Sequence, residues 1–306
     1  MDFTHFYNKF CCVNQWSIGF SKGNIQEIIR DKNCELTFQW FPLTDNFTSI
    51  ADPFIFVDME GKLSMLYETF SVVDVSRYGK IELVTLDKEF NIILKKQVLD
   101  ANSHSSYPFI FSENGITYII PEISHQCKVS VFEYDYVNKV MINEKVIINN
   151  MPLLDSTIFK YNDKYWLFAT FNKSENDYSR LYIYYSDSLL GEYIPHANNP
   201  VKNISDGSRP AGNIIKVDGE LYRPAQNCSR HYGASIAINK ITKLSSTEFT
   251  EELHFKIAPD KTSEFNSGVH TINILGDIIV IDGIKMAFNP ITKWKLFFNK
   301  KFRKTV

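Results

Sequence analysis

Along the chain, one pattern recurs five times: a short apolar run, a polar turn, a second short apolar run and an end residue. The copies are Ser49 to Glu68 (SIADPFIFVDMEGKLSMLYE), Tyr107 to Glu122 (YPFIFSENGITYIIPE), Asp155 to Thr170 (DSTIFKYNDKYWLFAT), Arg209 to Gln226 (RPAGNIIKVDGELYRPAQ) and Val269 to Gly283 (VHTINILGDIIVIDG). Runs this short, rich in β-branched and aromatic residues and split by a turn residue, predict hairpins. Recurrence at roughly fifty residues suits blades of four strands set in a ring. The chain is therefore read as all-β, a five-bladed β-propeller of four-stranded antiparallel blades forming a single domain over residues 1–306, with repeats near 49–100, 106–150, 154–200, 208–258 and 267–300.

Residues 1–45 precede the first repeat and hold two apolar segments, Trp16 to Phe20 and Leu36 to Phe41, around a possible helix at Ile25 to Arg30. Either segment could complete the last blade and so remove an exposed sheet edge. Third strands are expected to end at Asp87, Asp135, Asp187, Asn239 and Asn289, residues suited to tight turns. In the fifth blade a last strand is expected at Trp294 to Phe298.

Register turns this rhythm into a site. The turn residues are Gly61, Gly115, Asp163, Gly219 and Gly276, the opening residues Asp52, Tyr107, Asp155, Arg209 and Val269, and the closing residues Glu68, Glu122, Thr170, Gln226 and Gly283. The start and end of a hairpin lie at one edge. If first strands line the channel, Asp52, Glu68, Tyr107, Glu122, Asp155, Arg209 and Gln226 meet at one mouth.

Composition narrows the function. Net charge is −2, with 33 basic and 35 acidic residues, so no global field draws a polyanion and neither nucleic acid nor a membrane surface is expected as the main partner. No apolar run reaches the ~20 residues of a membrane span. Lys300, Lys301, Arg303 and Lys304 form a basic C-terminal tail, read either as a solvated end or as a peripheral contact to anionic lipid. Cys11, Cys12, Cys34, Cys127 and Cys228 have no metal-binding spacing and read as reduced thiols. The first residues, MDFTHFYNKFCCVNQW, lack the basic and uninterrupted apolar regions of a signal peptide, and a cytoplasmic location is expected. No metal triad, phosphate loop or dinucleotide fingerprint occurs, so no metal or cofactor is expected.

Paired carboxylates are the equipment of glycosyl transfer. Asp52 is the candidate base or nucleophile, Asp155 its orienting partner, and Glu122, preceded by Ile-Ile-Pro, the candidate acid, with Glu68 as the alternative donor. Arg209 has two readings, an ion pair with Asp155 or Asp52 and a fork for phosphate. The loop from Cys228 to Gly233 adds Arg230 and Tyr232; His270 shares the channel register, and Tyr67, Tyr107, Trp166 and Tyr232 could stack on a sugar, although most aromatics must serve inter-blade packing. Cys228 has no marked base and is a weak nucleophile candidate.

The segments ADPFIF, SYPFIF, DSTIF, LYIYYSDSLLGEY, SRPAGNI and LYRPAQNCSRHYG resemble the N-terminal propeller domain of plant glucosamine inositolphosphorylceramide transferase and its bacterial relatives, from about Trp16 to Asp282. That domain is similar in turn to the propellers of glycoside hydrolase families 43, 32, 68 and 130. The resemblance implies carbohydrate chemistry, and its bacterial setting implies surface polysaccharide or capsule biosynthesis. In the family 43 pattern a base Asp opens blade 1 and a modulating Asp opens blade 3, matching Asp52 and Asp155, whereas the acid that opens blade 4 is replaced by Arg209. Arginine there implies an anionic donor, a sugar phosphate or nucleotide sugar, held by Arg209, Arg230 and His270 and passed to a glycan acceptor. A family 43-like hydrolase or phosphorylase and a non-catalytic sugar-binding module are the alternatives.

Overall fold

The computed structural model describes residues 10–43, 45, 47–74, 78–99, 101, 103–172 and 178–303. The described chain is a five-bladed β-propeller, with five small antiparallel sheets in a ring. Blade 1 comprises Thr48–Val57, Leu63–Ser71, Lys80–Leu86 and Ile92–Leu99; blade 2 comprises Ser106–Glu113, Ile116–Glu122, Lys128–Asp135 and Val140–Asn149. In blade 3, Leu153–Tyr161, Lys164–Phe171 and Arg180–Ser186 are followed by two short pieces, Ile194–Pro195 and Lys202–Asn203, which share the outer edge. Blade 4 opens with Asp206–Pro210 and Ile215–Val217, then Glu220–Asn227, Ser235–Leu244 and Phe249–Ile257.

The fifth blade departs from the expected order. Its inner strands are Ile272–Leu275 and Ile278–Phe288, and its outer strands come from the other end of the chain, Cys12–Lys22 and Gln39–Trp40. The N-terminal segment thus closes the ring, as its alternation suggests, with helix Ile25–Asp31 between the two strands. The segment Trp294 to Phe298 is not a strand: it lies inside helix Pro290–Arg303. With the blade edge already filled from the N-terminus, no ladder remains for it. Asn239 also corrects the turn pattern, because its strand runs on to Leu244 and buries it. Asn289 leads into the helix rather than into a hairpin. Residues 1–9 and Lys304 lie outside the described residues.

The five hairpin turns are as expected, with Gly61, Gly115, Asp163, Gly219 and Gly276 all at positive φ. The core lies between blades, where rings interlock edge to face: Phe54 meets Tyr107 at 4.9 Å and Phe109 at 5.7 Å. At the closing position of blade 5 the residue is Gly283, because a Cβ there would stand 2.4 Å from the Trp40 ring brought by the N-terminal strand.

Candidate active site

Three inner strands carry a bulge at their opening residue. The register slips between Ala51 and Phe54, between Ser106 and Phe109, and between Leu154 and Thr157. Asp52, Tyr107 and Asp155 sit inside these bulges at φ of 53°, 42° and 53°. A non-glycine residue in that region costs about 1–3 kcal/mol and persists only where its surroundings over-determine it. Bulges re-aim side chains, and here they turn three polar groups toward the centre of the ring.

A cavity of about 460 Å³ opens at that mouth. Of the residues anticipated from sequence, Asp52, Glu68, Glu122, Arg209, Tyr232 and His270 line it. Asp155, Tyr107 and Gln226 lie one layer behind, almost fully buried. Tyr107 cannot stack on a ligand: its hydroxyl pairs with Thr157 at 2.8 Å and accepts from the Gly212 N–H at 2.7 Å. Gln226 is likewise a support rather than a contact, donating to Asp155 Oδ2 at 2.8 Å and to the Pro210 carbonyl at 3.0 Å. Arg230 is exposed on its loop and does not line the cavity.

Of the two readings of Arg209, the ion pair holds. Its Nε and Nη2 fork the Asp155 carboxylate, Nη2 stands 3.5 Å from Glu122 Oε2, and the guanidinium lies over the rings of Tyr178 and Tyr232 at 5.1 and 5.3 Å. The fork imagined for a donor phosphate is therefore engaged within the protein. Cys228 is half-buried, its Sγ 3.9 Å from Gln226 Oε1, and burial pushes its thiol up, away from a nucleophile's needs.

Asp52 is held from three sides. Thr271 Oγ1 donates to Oδ1 at 2.7 Å, the Tyr107 N–H to Oδ2 at 3.2 Å, and His270 Nε2 lies 3.4 Å from Oδ1. Burial raises its pKa to about 6 against the pull of His270, with Asp155 and Asp282 adding to the rise. Glu122 is raised further, to about 8, first by burial and then by the charge of Asp155, with Arg209 opposing. Ser124 donates to its Oε1 at 2.9 Å, while Oε2 has no hydrogen-bond partner among the described residues. Glu68 is also pushed well above the carboxylate range, by burial and by Asp52, Glu122 and Asp155. At neutral pH Glu122, at about 8, thus stands mostly protonated in the same cavity as a largely ionised Asp52 at about 6.

Sequence reasoning missed Asp282. It is fully buried, accepts from the backbone N–H groups of Asp52, His270 and Thr271, and lies 2.7 Å from His270 Nδ1. Burial lowers the His270 pKa, but the charges of Asp282 and Asp52 outweigh it and the net shift is upward. Asp52, His270 and Asp282 each offer a ligand atom within 4.8 Å of the others, a grouping no sequence spacing announced. Both ring nitrogens of His270 already face carboxylates, Nε2 toward Asp52 and Nδ1 toward Asp282. The cavity is completed by Trp16, whose ring lies 4.1 Å from that of His270, by Tyr178, and by His104 and His125, their rings 6.1 Å apart.

Residues 38–274 match the family described as glucosamine inositolphosphorylceramide transferase 1, N-terminal. The chain is 35% identical over 216 residues to glucosamine inositolphosphorylceramide transferase 1 of Arabidopsis thaliana, covering 68% of this chain and 27% of that protein. Its counterpart in Oryza sativa subsp. japonica is 32% identical over 213 residues, covering 66% and 27%. The chain therefore spans about a quarter of the length of these curated relatives. Among solved structures, a family 43 β-1,3-galactosidase superposes with a TM-score of 0.57 at 13% identity, covering 81% of this chain and 59% of that one. An exo-β-1,3-galactanase from Clostridium thermocellum gives 0.55 at 12% identity, covering 74% and 58%. These two likenesses concern the fold.

Proposed function

Because the chain belongs to the family of glucosamine inositolphosphorylceramide transferase N-terminal domains, we propose that it transfers a glycosyl group from an activated sugar, a sugar phosphate or nucleotide sugar, to a glycan acceptor. The observation that carries this reading is the separation of proton affinities in one cavity, with Asp52 at about 6 and Glu122 at about 8. Two carboxyls driven apart by their surroundings can act as base and acid at one pH. Glu122, protonated at neutral pH, gives its proton to the leaving-group oxygen as the bond from that oxygen to the anomeric carbon breaks. Asp52 takes the proton of the acceptor hydroxyl as the new carbon–oxygen bond forms. Arg209, forked on Asp155 and close to Glu122, steadies the negative charge left on Glu122. Glu122 is preferred over Glu68 as the donor because Arg209 Nη2, 3.5 Å from its Oε2, is the nearer cation to the charge it leaves, whereas Glu68 has only His104 Nδ1 at 3.7 Å.

With Arg209 engaged, the anionic part of the donor falls to the rim, where His104 and His125 stand. The setting we propose is bacterial surface polysaccharide assembly on the cytoplasmic side, which five free cysteines support. A hydrolytic reading draws on the same carboxyl pair. Incubation with a panel of nucleotide sugars, with and without acceptor glycans, separates the two: transfer requires the acceptor, while release of free sugar at an undiminished rate in its absence makes the protein a hydrolase. Glu122→Gln should lower turnover by about 10²–10⁴-fold with the thermal midpoint retained. Full activity in that variant removes the mechanism, and ligand binding without turnover of any donor leaves a sugar-binding module.

A further inference from the structure

We infer that helix Pro290–Arg303 docks the cavity-bearing mouth of the ring onto an anionic lipid surface. The helix reads PITKWKLFFNKKFR, with five basic residues and no acidic one. Ile291 and Trp294, at helical spacing, are 71% and 48% exposed. A helix rich in basic residues, with an exposed aromatic and an exposed aliphatic residue, is suited to the bilayer interface, where cations meet lipid phosphates and apolar groups enter the acyl boundary.

Its place in the ring adds a second, independent argument. Strand Ile278–Phe288 runs from the turn at Gly276 past Asp282 to Phe288, and its partner sets Trp16 opposite Ile284 and Asn14 opposite Met286. Trp16 and Asn14 both line the cavity, so the chain leaves the ring and enters the helix on the open side of the site. Other exposed apolar groups share that side. Phe288 is 62% exposed, Phe47 49% and Tyr78 54%. Phe47 and Tyr78 flank the hairpin end where Thr48 pairs with Ser71 and Thr69 with Lys80, the same end that carries Asp52 and Glu68. A scattered apolar rim beside a basic helix complements a negatively charged bilayer in both charge and polarity. A protein groove would call for a continuous apolar face.

The full chain should be sedimented with sucrose-loaded vesicles of phosphatidylcholine, with and without about 30% phosphatidylserine. Binding is expected only with phosphatidylserine and should fall at least tenfold in Lys295→Glu/Lys300→Glu/Lys301→Glu and severalfold in Trp294→Ser. Added salt should weaken it. Equal binding to neutral vesicles, no binding to either kind, or an unaffected triple variant overturns the inference. So does helix-dependent self-association of the chain in place of vesicle binding, which would make a second copy the occupant. The readout is independent of turnover, so it stands or falls separately from the catalytic reading.

Discussion

Two buried arginines in neighbouring strands of blade 4 meet carboxylates in opposite ways. Arg223 is sealed, 1% exposed, with Nε and Nη2 on Glu251 and further bonds from Nη1 and Nη2 to the carbonyls of Ser208 and Gly207. Lys202 adds a second cation to Glu251 at 2.7 Å. Burial alone would raise the Glu251 pKa, but these partners hold it below the ordinary carboxylate range. Arg209 faces the cavity, its fork given to Asp155, and reaches Glu122 only at 3.5 Å. Burial and then the charge of Asp155 raise Glu122 to about 8 against that weaker pull. A guanidinium that saturates its carboxylate makes a structural anchor, whereas one that leaves a neighbouring carboxyl half-answered makes an acid. The two are linked mechanically, because Arg223 clamps the carbonyls of the two residues just before Arg209.

The comparison can be broken at several points. The largest stability effect is expected from Arg223→Met, which leaves buried Glu251 with Lys202 alone and strips the guanidinium from the Ser208 and Gly207 carbonyls, and should cost about 3–5 kcal/mol, read by denaturant unfolding. Arg209→Met should cost less than half as much, since Gln226 still donates to Asp155 and the cavity stands open beside it. Turnover in that variant is expected to fall about 100-fold.

A pH scan sharpens the contrast. The folded pKa of Glu122 lies above its ordinary value of 4.5, so its contribution to stability is complete below about 4.5 and is lost as pH rises through about 8. That of Glu251 is lowered, so its contribution is present above the ordinary value and is lost as pH falls. Glu122→Gln should therefore flatten the alkaline flank of the stability profile and leave the acid flank in place. An unchanged alkaline flank would return Glu122 to an ordinary carboxylate. The smallest effect belongs to Cys228→Ser: turnover within about twofold of the parent, as expected for a thiol that burial keeps protonated.

The hairpins were legible because each is local, a period of two interrupted by a residue able to adopt positive φ, as at Gly61 and Asp163. The origin of the fifth blade's outer strands was only half legible. The N-terminal alternation suggested closure, but Trp294 to Phe298 is as apolar as a strand, and only the filled edge leaves it helical. At the site, register brought Asp52, Glu122, Asp155 and Arg209 to one mouth. It could not tell which residues would line the cavity and which would back it, because that depends on how each bulge rotates its residue. Tyr107 was turned inward on that account, and Gln226 was buried beneath Asp155 and the Pro210 carbonyl. Asp282 escaped notice because the closing position of blade 5 falls on Gly283, beside it, and because three of its partners are backbone N–H groups, which no side-chain pattern shows.

Closure of the ring by the N-terminal strand has a consequence for the making of the protein. Trp16 reaches the cavity only by pairing with Ile284, and Asp52 gains His270 and Asp282 only when blade 5 is in place. During synthesis the first strand waits while more than two hundred residues emerge from the ribosome before its partner exists. The floor of the cavity is therefore the last part of the propeller to be assembled, and a chain truncated before Ile278 has four blades and an unfinished pocket.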